Sequence, residues 1–196
     1  GNLDPYQELG LLLEAARRRP ARAGAVGAVG DSEVPLVVAT HDARAERLSG
    51  PLAEAGIRLI RVAGSEAGRQ TAGIAEMQSL IAGARATLCL RRGLGGFPIK
   101  LANSLALETP PIAYHAREWG LEHGESAWIA SPEDPVASLT RAIDRIVRDD
   151  GLAERLRRGA RALYQAQHDP VRAGRRTVEL LERVLERRIR KRSPPW

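Results

Sequence analysis

The fold is decided by residues 86–114, which read ATLCLRRGLGGFPIKLANSLALETPPIAY. A short apolar run at 86–90 predicts a buried strand, and the glycine-containing segment 91–98 predicts a loop. The apolar spacing at 99–107 predicts a helix, which two prolines end before a second short strand at 112–114. Strand, loop, helix and strand in this order form the repeating unit of parallel α/β sheets.

The same alternation extends in both directions from this segment. Strands are predicted at 34–40, 57–62, 86–90, 112–114 and 127–130, and helices at 9–19, 43–55, 74–82, 99–107, 135–149, 152–166 and 171–190. Residues 20–34 are rich in Gly and Ala and are predicted to form a loop. The pattern indicates an α/β fold with a parallel sheet and helices on both faces. In such sheets ligands bind beyond the carboxyl ends of the strands, where the loop 91–98 would lie.

The composition limits the class of protein. The chain has 196 residues, of which 43% are hydrophobic, so it can form a packed core and is not an intrinsically disordered chain. Cys89 is the single cysteine, so no internal disulfide bond can form and an oxidising compartment is not required. No apolar run approaches the roughly 18 residues that cross a bilayer. The opening residues do not read as a cleavable signal, and we expect a cytoplasmic protein.

The net charge of +6 suits an anionic substrate, an anionic membrane surface or nucleic acid. Aromatic residues make up only 4% of the chain, which disfavours base stacking, so we expect no nucleic-acid partner. Residues 187–192 form a basic run. We therefore predict one domain over 1–186 and a basic, flexible tail over 187–196.

The loop after the third predicted strand is the candidate anion site. Its glycines let a backbone approach a ligand closely, and the helix that begins at Ile99 directs its amino end to the same place. The candidate phosphate cations are Arg91, Arg92 and Lys100. Asn103, one helical turn beyond Lys100, can hydrogen-bond a ribose hydroxyl. The alternative for each residue is an ordinary solvated loop or helix face, and for His115, His123 and Glu125 a structural or surface role is favoured.

The motifs occur in a recognisable order. Residues 1–7 read GNLDPYQ, residues 95–106 read GGFPIKLANSLA, and residues 111–114 read PIAY, with weaker matches at 76–81 and 123–139. Together they resemble the C-terminal, donor-binding domain of family 4 (group 1) glycosyltransferases, which have the two-domain GT-B architecture. That family opens with Gly-Arg-Leu followed by a Pro and a Lys. Its second motif has the form Glu-Gly-Phe-Pro/Gly, five residues, then Glu-Ala-Met-Ala.

This resemblance implies a Rossmann-like, doubly wound parallel sheet that binds a nucleotide-sugar donor. It implies transfer of a sugar to an acceptor with retention of configuration and without a metal or other cofactor. The donor-binding residues that it implies are Asn2, Gln7, Arg91, Gly95, Gly96, Phe97, Pro98, Ile99, Lys100 and Asn103. Such enzymes build polysaccharides or glycolipids, and peripheral contact with the inner face of the membrane would be in keeping with lipid-linked acceptors.

In the family, an N-terminal acceptor-binding domain supplies the acceptor site and a catalytic group. The resemblance therefore implies that the catalytic residues lie in that domain, and those of this chain are unknown. It also implies that the first strand of the sheet would precede Gly1, so the sheet formed by residues 1–196 would lack it. We expect the 196-residue chain alone to transfer no sugar.

The chain departs from the family at four charged positions. The two glutamates of the second motif are replaced by Gly95 and Asn103, and the Arg and Lys of the first loop by Asn2 and Gln7. In the family, the Arg and Lys neutralise the donor diphosphate and the second Glu holds the ribose. The lost charges keep open the alternative of a non-catalytic nucleotide-sugar-binding or scaffolding domain. A third alternative is another parallel α/β nucleotide binder or a basic nucleic-acid binder, against which the low aromatic content speaks.

Overall fold

The computed structural model describes residues 8–19, 35–63, 70–91 and 96–192. The strands are β1 (Leu36–Thr40), β2 (Ile57–Arg61), β3 (Thr87–Cys89), β4 (Pro111–Ala113) and β5 (Trp128–Ile129). The α-helices are α1 (Leu9–Arg18), α2 (Ser49–Glu54), α3 (Gln70–Ala82), α4 (Ile99–Ala106), α5 (Pro135–Arg148), α6 (Asp150–Leu163) and α7 (Pro170–Arg192). The predicted alternation of strands and helices is confirmed, whereas the predicted loop 20–34 lies outside the described residues.

The described strands form two parallel sheets. β1 pairs with β2, with Leu36 opposite Ile57 and Thr40 opposite Arg61. The second sheet has the order β3-β4-β5, so β4 lies at its centre. All pairings are parallel, as the alternating pattern predicts. The division into two sheets is a feature that the pattern did not predict.

The three-stranded sheet lies between two hydrophobic cores. Ile112 and Leu90 belong to the core that contains the buried faces of α1 and α5. Cys89 and Ala113 belong to the other core, together with buried residues of α4 and α6. Because successive strand residues point to opposite faces, adjacent residues such as Ile112 and Ala113 enter different cores. Helices therefore cover both faces of this sheet, as predicted.

Two predicted helices have different bounds in the structure. The segment 43–55 is not one α-helix, because Ala43–Leu48 is a 3₁₀ helix and α2 begins at Ser49. Pro51 has no N–H group, and its ring would clash with the carbonyl four residues earlier, so it fits only in the first turn of a helix. α3 begins at Gln70, earlier than predicted, and includes Gly73. A Cβ at Gly73 would lie 2.3 Å from the carbonyl oxygen of Ala63, which explains a glycine inside this helix.

Candidate functional site

The predicted anion site lies at the carboxyl end of β3. β3 ends at Cys89 and α4 begins at Ile99, so the chain between them follows the strand where ligands bind in parallel α/β sheets. Arg91 is half-buried just beyond the strand. Four of the residues named from the sequence lie outside the described residues: Asn2, Gln7, Arg92 and Gly95.

The amino end of α4 has no side-chain cap. Gly96 has φ of 60°, a left-handed conformation that glycine adopts without strain, and a Cβ there would meet nothing within 4 Å. Pro98 is buried at the N-cap, and its side chain makes no capping hydrogen bond. The carbonyl oxygen of Pro98 accepts hydrogen bonds from the N–H groups of Leu101 and Ala102, at 2.9 and 3.3 Å. The amino end of α4 therefore has the backbone arrangement that suits an anion.

Two cationic residues, Arg91 and Lys100, lie at this end of β3. Lys100, in the first turn of α4, is half-buried. Burial lowers the pKa of its ammonium group from 10.5, the Cys89 thiol acts in the opposite direction, and the positive charge of Arg91 lowers it further. Burial also raises the pKa of the Cys89 thiol, against the effects of Lys100 and Arg91. Cys89, Arg91 and Lys100 are thus close enough to influence one another's charge, and a bound anion would offset the cost of keeping Lys100 charged.

One face of α4 is exposed and the other is buried. Ile99 is 78% exposed, and Asn103, one turn further along, is exposed on the same face. On the opposite face Leu101 and Leu105 are fully buried. The Asn103 amide is therefore accessible to a ligand, as the predicted ribose contact requires.

The Phe97 ring packs against a residue that is distant in the sequence. It is 4.7 Å, centroid to centroid, from the ring of His168, which lies in the short π-helical turn between α6 and α7. The His168 Nε2 atom is buried and has no hydrogen-bond partner, and burial lowers the pKa of this imidazole from 6.5. This contact could not be predicted from the sequence, because it depends on how the end of α6 and the turn after it pack against α4.

The other polar residues named from the sequence have structural contacts. The His123 Nδ1 atom accepts a hydrogen bond from the N–H group of Ile129 at 3.0 Å, and its ring packs against Trp128. His115 packs edge-on against Trp119. Glu125 lies 4.0 Å from the guanidinium of Arg155. These contacts agree with the structural or surface role that the sequence analysis favours for the three residues.

The part of the chain that the structure describes has no cluster of metal ligands and no membrane-spanning helix. There, no three side chains of His, Cys, Asp or Glu come together in a way that could hold a metal ion. Over the same residues, every helix falls short of the length and apolar character needed to traverse a bilayer.

Solved structures share the fold of this chain, although no protein-family model matches its sequence and no curated protein is detectably similar to it. HepE of Anabaena, solved with UDP-glucose, is 14% identical with a TM-score of 0.66 over 93% of this chain and 47% of HepE. A glycosyltransferase from Rickettsia africae is 14% identical with a TM-score of 0.64, over 94% of this chain and 46% of that protein.

A third structure belongs to the pneumococcal O-GlcNAc transferase GtfA, solved with UDP and GlcNAc. It is 14% identical with a TM-score of 0.58, over 84% of this chain and 31% of GtfA. This chain spans less than half the length of each of the three proteins. At this level of identity the likeness shows the fold, and the chain has the parallel α/β fold that these proteins contain.

Proposed function

We propose that this chain is the nucleotide-sugar-binding domain of a glycosyltransferase. The observation that carries the proposal is the meeting of Arg91, Lys100 and the amino end of α4 at the carboxyl end of β3. A nucleoside diphosphate is the leaving group in glycosyl transfer from a nucleotide sugar, and its negative charge requires positively charged groups and N–H donors. HepE was solved with UDP-glucose and GtfA with UDP and GlcNAc, which supports the same class of ligand here.

Each residue of the proposed site would bind a different part of the nucleotide sugar. Arg91 and Lys100 bind the diphosphate, and the backbone of residues 95–99 approaches it closely. Asn103 hydrogen-bonds a ribose hydroxyl through its exposed amide. We assign Asn2 and Gln7 to the same donor site on the resemblance alone, with their amides replacing the charges that the family has there.

Transfer would require a second domain. In this proposal an N-terminal acceptor-binding domain supplies the acceptor site and the catalytic group, and the 196-residue chain alone is inactive. On the resemblance alone, the reaction retains the configuration of the sugar. It uses no metal, because Arg91, Lys100 and the helix N–H groups stabilise the leaving diphosphate. The enzyme would act in the cytoplasm in polysaccharide or glycolipid synthesis.

A thermal-shift titration tests the donor site. UDP, GDP, ADP, TDP and their sugars are added to the chain with and without EDTA. A ligand at 100 times its dissociation constant stabilises the folded state by about 2.7 kcal/mol. We expect one nucleotide series to raise the melting temperature equally with and without EDTA, and the Lys100→Met variant to lose most of that shift.

The matched control is Arg141→Met, which removes an exposed cation from α5. This variant should keep the full nucleotide shift. If a cooperatively melting protein responds to no nucleotide, the donor-site proposal is wrong. If nucleotide sugars bind but the chain joined to its acceptor domain transfers no sugar, the scaffolding alternative is correct.

The charge of α7 supports a peripheral membrane contact. The helix contains nine Lys and Arg residues and three Glu residues, so its net charge equals that of the whole chain. It also exposes large apolar side chains, among them Val178, Leu181 and Leu185. Basic amphipathic helices bind anionic lipid surfaces through both features. We expect the chain to sediment with phosphatidylglycerol vesicles but not with phosphatidylcholine vesicles, and Leu181→Ser to weaken sedimentation. Equal sedimentation with both lipids would contradict the charge argument.

A further inference from the structure

The turn between α6 and α7, Tyr164–His168, is a π-helix. Pro170 explains why the helix ends before α7, because the residue ahead of a proline favours extended backbone, and Asp169 has φ of −62° and ψ of 120°. The turn itself contains neither glycine nor proline, so no helix-breaking residue accounts for its π form. Short π-helical turns of this kind occur frequently at functional sites. The contacts of this turn, rather than its own sequence, therefore point to its role.

The π-helical turn lies close to the segments that follow two paired strands. The His168 ring is 4.7 Å from the Phe97 ring, with 34° between the ring planes, and Phe97 follows β3. The side chain of Gln167 lies beside Gly120, which follows β4, since a Cβ at Gly120 would be 2.7 Å from the Gln167 Oε1 atom. Because β3 and β4 are parallel, both segments lie at the same edge of the sheet as the predicted anion site. The turn is therefore in a position to support that site.

The His168 ring contributes through packing rather than through a hydrogen bond of its Nε2 atom. This atom is buried and has no hydrogen-bond partner among the described residues. A buried polar atom without a partner is unfavourable, so an imidazole at this position requires a compensating contact. Aromatic rings at such a distance stabilise each other beyond the burial of their area. The contact with Phe97 is the compensating contact that the structure shows.

Phe97 needs a contact of this kind to keep its place. The preceding residue, Gly96, has φ of 60°, and a glycine can adopt many other conformations at little cost. The rest of the protein covers the Phe97 side chain only in part, because this residue is 39% exposed. Phe97 is followed by Pro98, the N-cap of α4, and Ile99 begins the helix. A shift of Phe97 would therefore move the backbone that leads into the amino end of α4.

We propose that His168 is a positioning residue of the donor site. Its ring anchors Phe97 and thereby holds residues 96–99 in the conformation that directs their backbone toward the diphosphate of a nucleotide sugar. The turn that contains His168 also packs against α4, so both sides of the ring contact belong to one packed unit. The anchoring of residues 96–99 follows from this contact and needs no ligand, whereas the effect on nucleotide binding rests on the proposed function.

Backbone relaxation of ¹⁵N nuclei, measured by NMR, tests the anchoring in the free 196-residue chain. We expect the order parameters of Gly96 and Phe97 to fall from about 0.85, as in rigid backbone, to below about 0.6 in His168→Ala. His168→Phe should keep the parent values, because it retains a ring at this position and removes the unpartnered nitrogen. Phe97→Leu removes the same ring contact from the partly exposed side, and should make Gly96 as mobile as His168→Ala does.

Calorimetric titration with UDP, GDP, ADP and TDP tests the consequence for binding. We expect the nucleotide that binds the parent chain to bind His168→Ala about tenfold more weakly, because residues 96–99 must then be ordered on binding. His168→Phe should bind it within about twofold of the parent affinity, because the ring contact remains. Combining His168→Ala with Phe97→Leu should cause no larger loss than either change alone, because both remove one contact.

Two controls separate this role from an effect on general stability. Gln165→Ala changes an exposed side chain of the same turn. Ile57→Val removes a methyl group from a buried residue of β2, in the other sheet. Both variants should keep the order parameters of residues 96 and 97 and the nucleotide affinity of the parent chain.

Unchanged order parameters in both His168→Ala and Phe97→Leu overturn the proposal, and so does mobility that persists in His168→Phe. Parent affinity in a His168→Ala chain whose residues 96–99 have become mobile overturns the role in nucleotide binding. If these residues become mobile as expected but the parent chain binds none of the four nucleotides, the anchoring is confirmed and the proposed function is wrong.

Discussion

At the scale of single residues, the charge of Lys100 carries a cost that the proposed binding of an anion would offset. Its ammonium group is half-buried near Arg91, and both burial and that charge disfavour the protonated form. The place of this region at the end of a strand could be predicted from the sequence, because a strand, a glycine loop and a helix start follow one another, and its ligand contacts stay a prediction. The burial of Lys100 could not be predicted, because it depends on how α4 packs against its neighbours.

His168 should make the stability of the protein depend on pH. Burial lowers the pKa of the folded-state imidazole below 6.5, so the unfolded chain binds the proton more readily. The contribution of His168 is therefore fully present above pH 6.5 and is lost as the pH falls through the lower folded-state pKa. We expect the melting temperature to fall as the pH decreases below 6.5, and to fall less in His168→Leu.

Thermal unfolding of both proteins across this pH range is the measurement. His41→Gln is the matched control, because His41 is exposed, and this variant should keep the slope of the parent protein. If the melting temperature depends on pH equally in His168→Leu and in the parent protein, the buried Nε2 atom without a hydrogen-bond partner has no effect on stability.

At the scale of elements, the end of α4 contains a strained residue. Glu108 has φ of 58°, and the N–H groups of Glu108 and Thr109 close the helix on Leu105 and Ser104, at 3.1 and 2.9 Å. This is the Schellman arrangement, in which glycine is preferred. The Glu108 carboxylate lies 3.1 Å from the exposed guanidinium of Arg161, a pair that contributes little in water.

We expect Glu108→Gly to raise the free energy of unfolding by about 0.5 kcal/mol, because relief of left-handed strain exceeds the added chain entropy. Glu108→Ala keeps the strain and loses the ion pair, so it should be less stable than the parent. Urea unfolding of the parent protein, Glu108→Gly and Glu108→Ala gives the three free energies of unfolding to compare. A glycine variant no more stable than the alanine variant would show that Glu108 is not strained.

At the scale of the whole molecule, the spacing of apolar residues in the sequence was sufficient to predict the fold class. It was not sufficient to predict which strands pair. The apolar runs that form β1 and β3 look alike in the sequence, and nothing in either run indicates that the two strands fail to meet. The break at Pro51, in contrast, follows from a rule that applies to any proline in a helix. The contact between Phe97 and His168 joins distant segments, and only the packed structure reveals it.

The interruption between β1 and β3 also bears on how the protein unfolds. Backbone ladders normally make a sheet melt as one unit, but among the described residues no ladder connects β1 with β3. The segment with β1, α2 and β2 shares a hydrophobic core with the remainder, in which Leu52 and Ile57 lie together with Ile112 and Ile143. Regions joined in this way open at lower free energies than the centre of a sheet. Calorimetry on residues 1–196 should therefore give a van't Hoff enthalpy smaller than the calorimetric one, with two cooperative units in a single small domain.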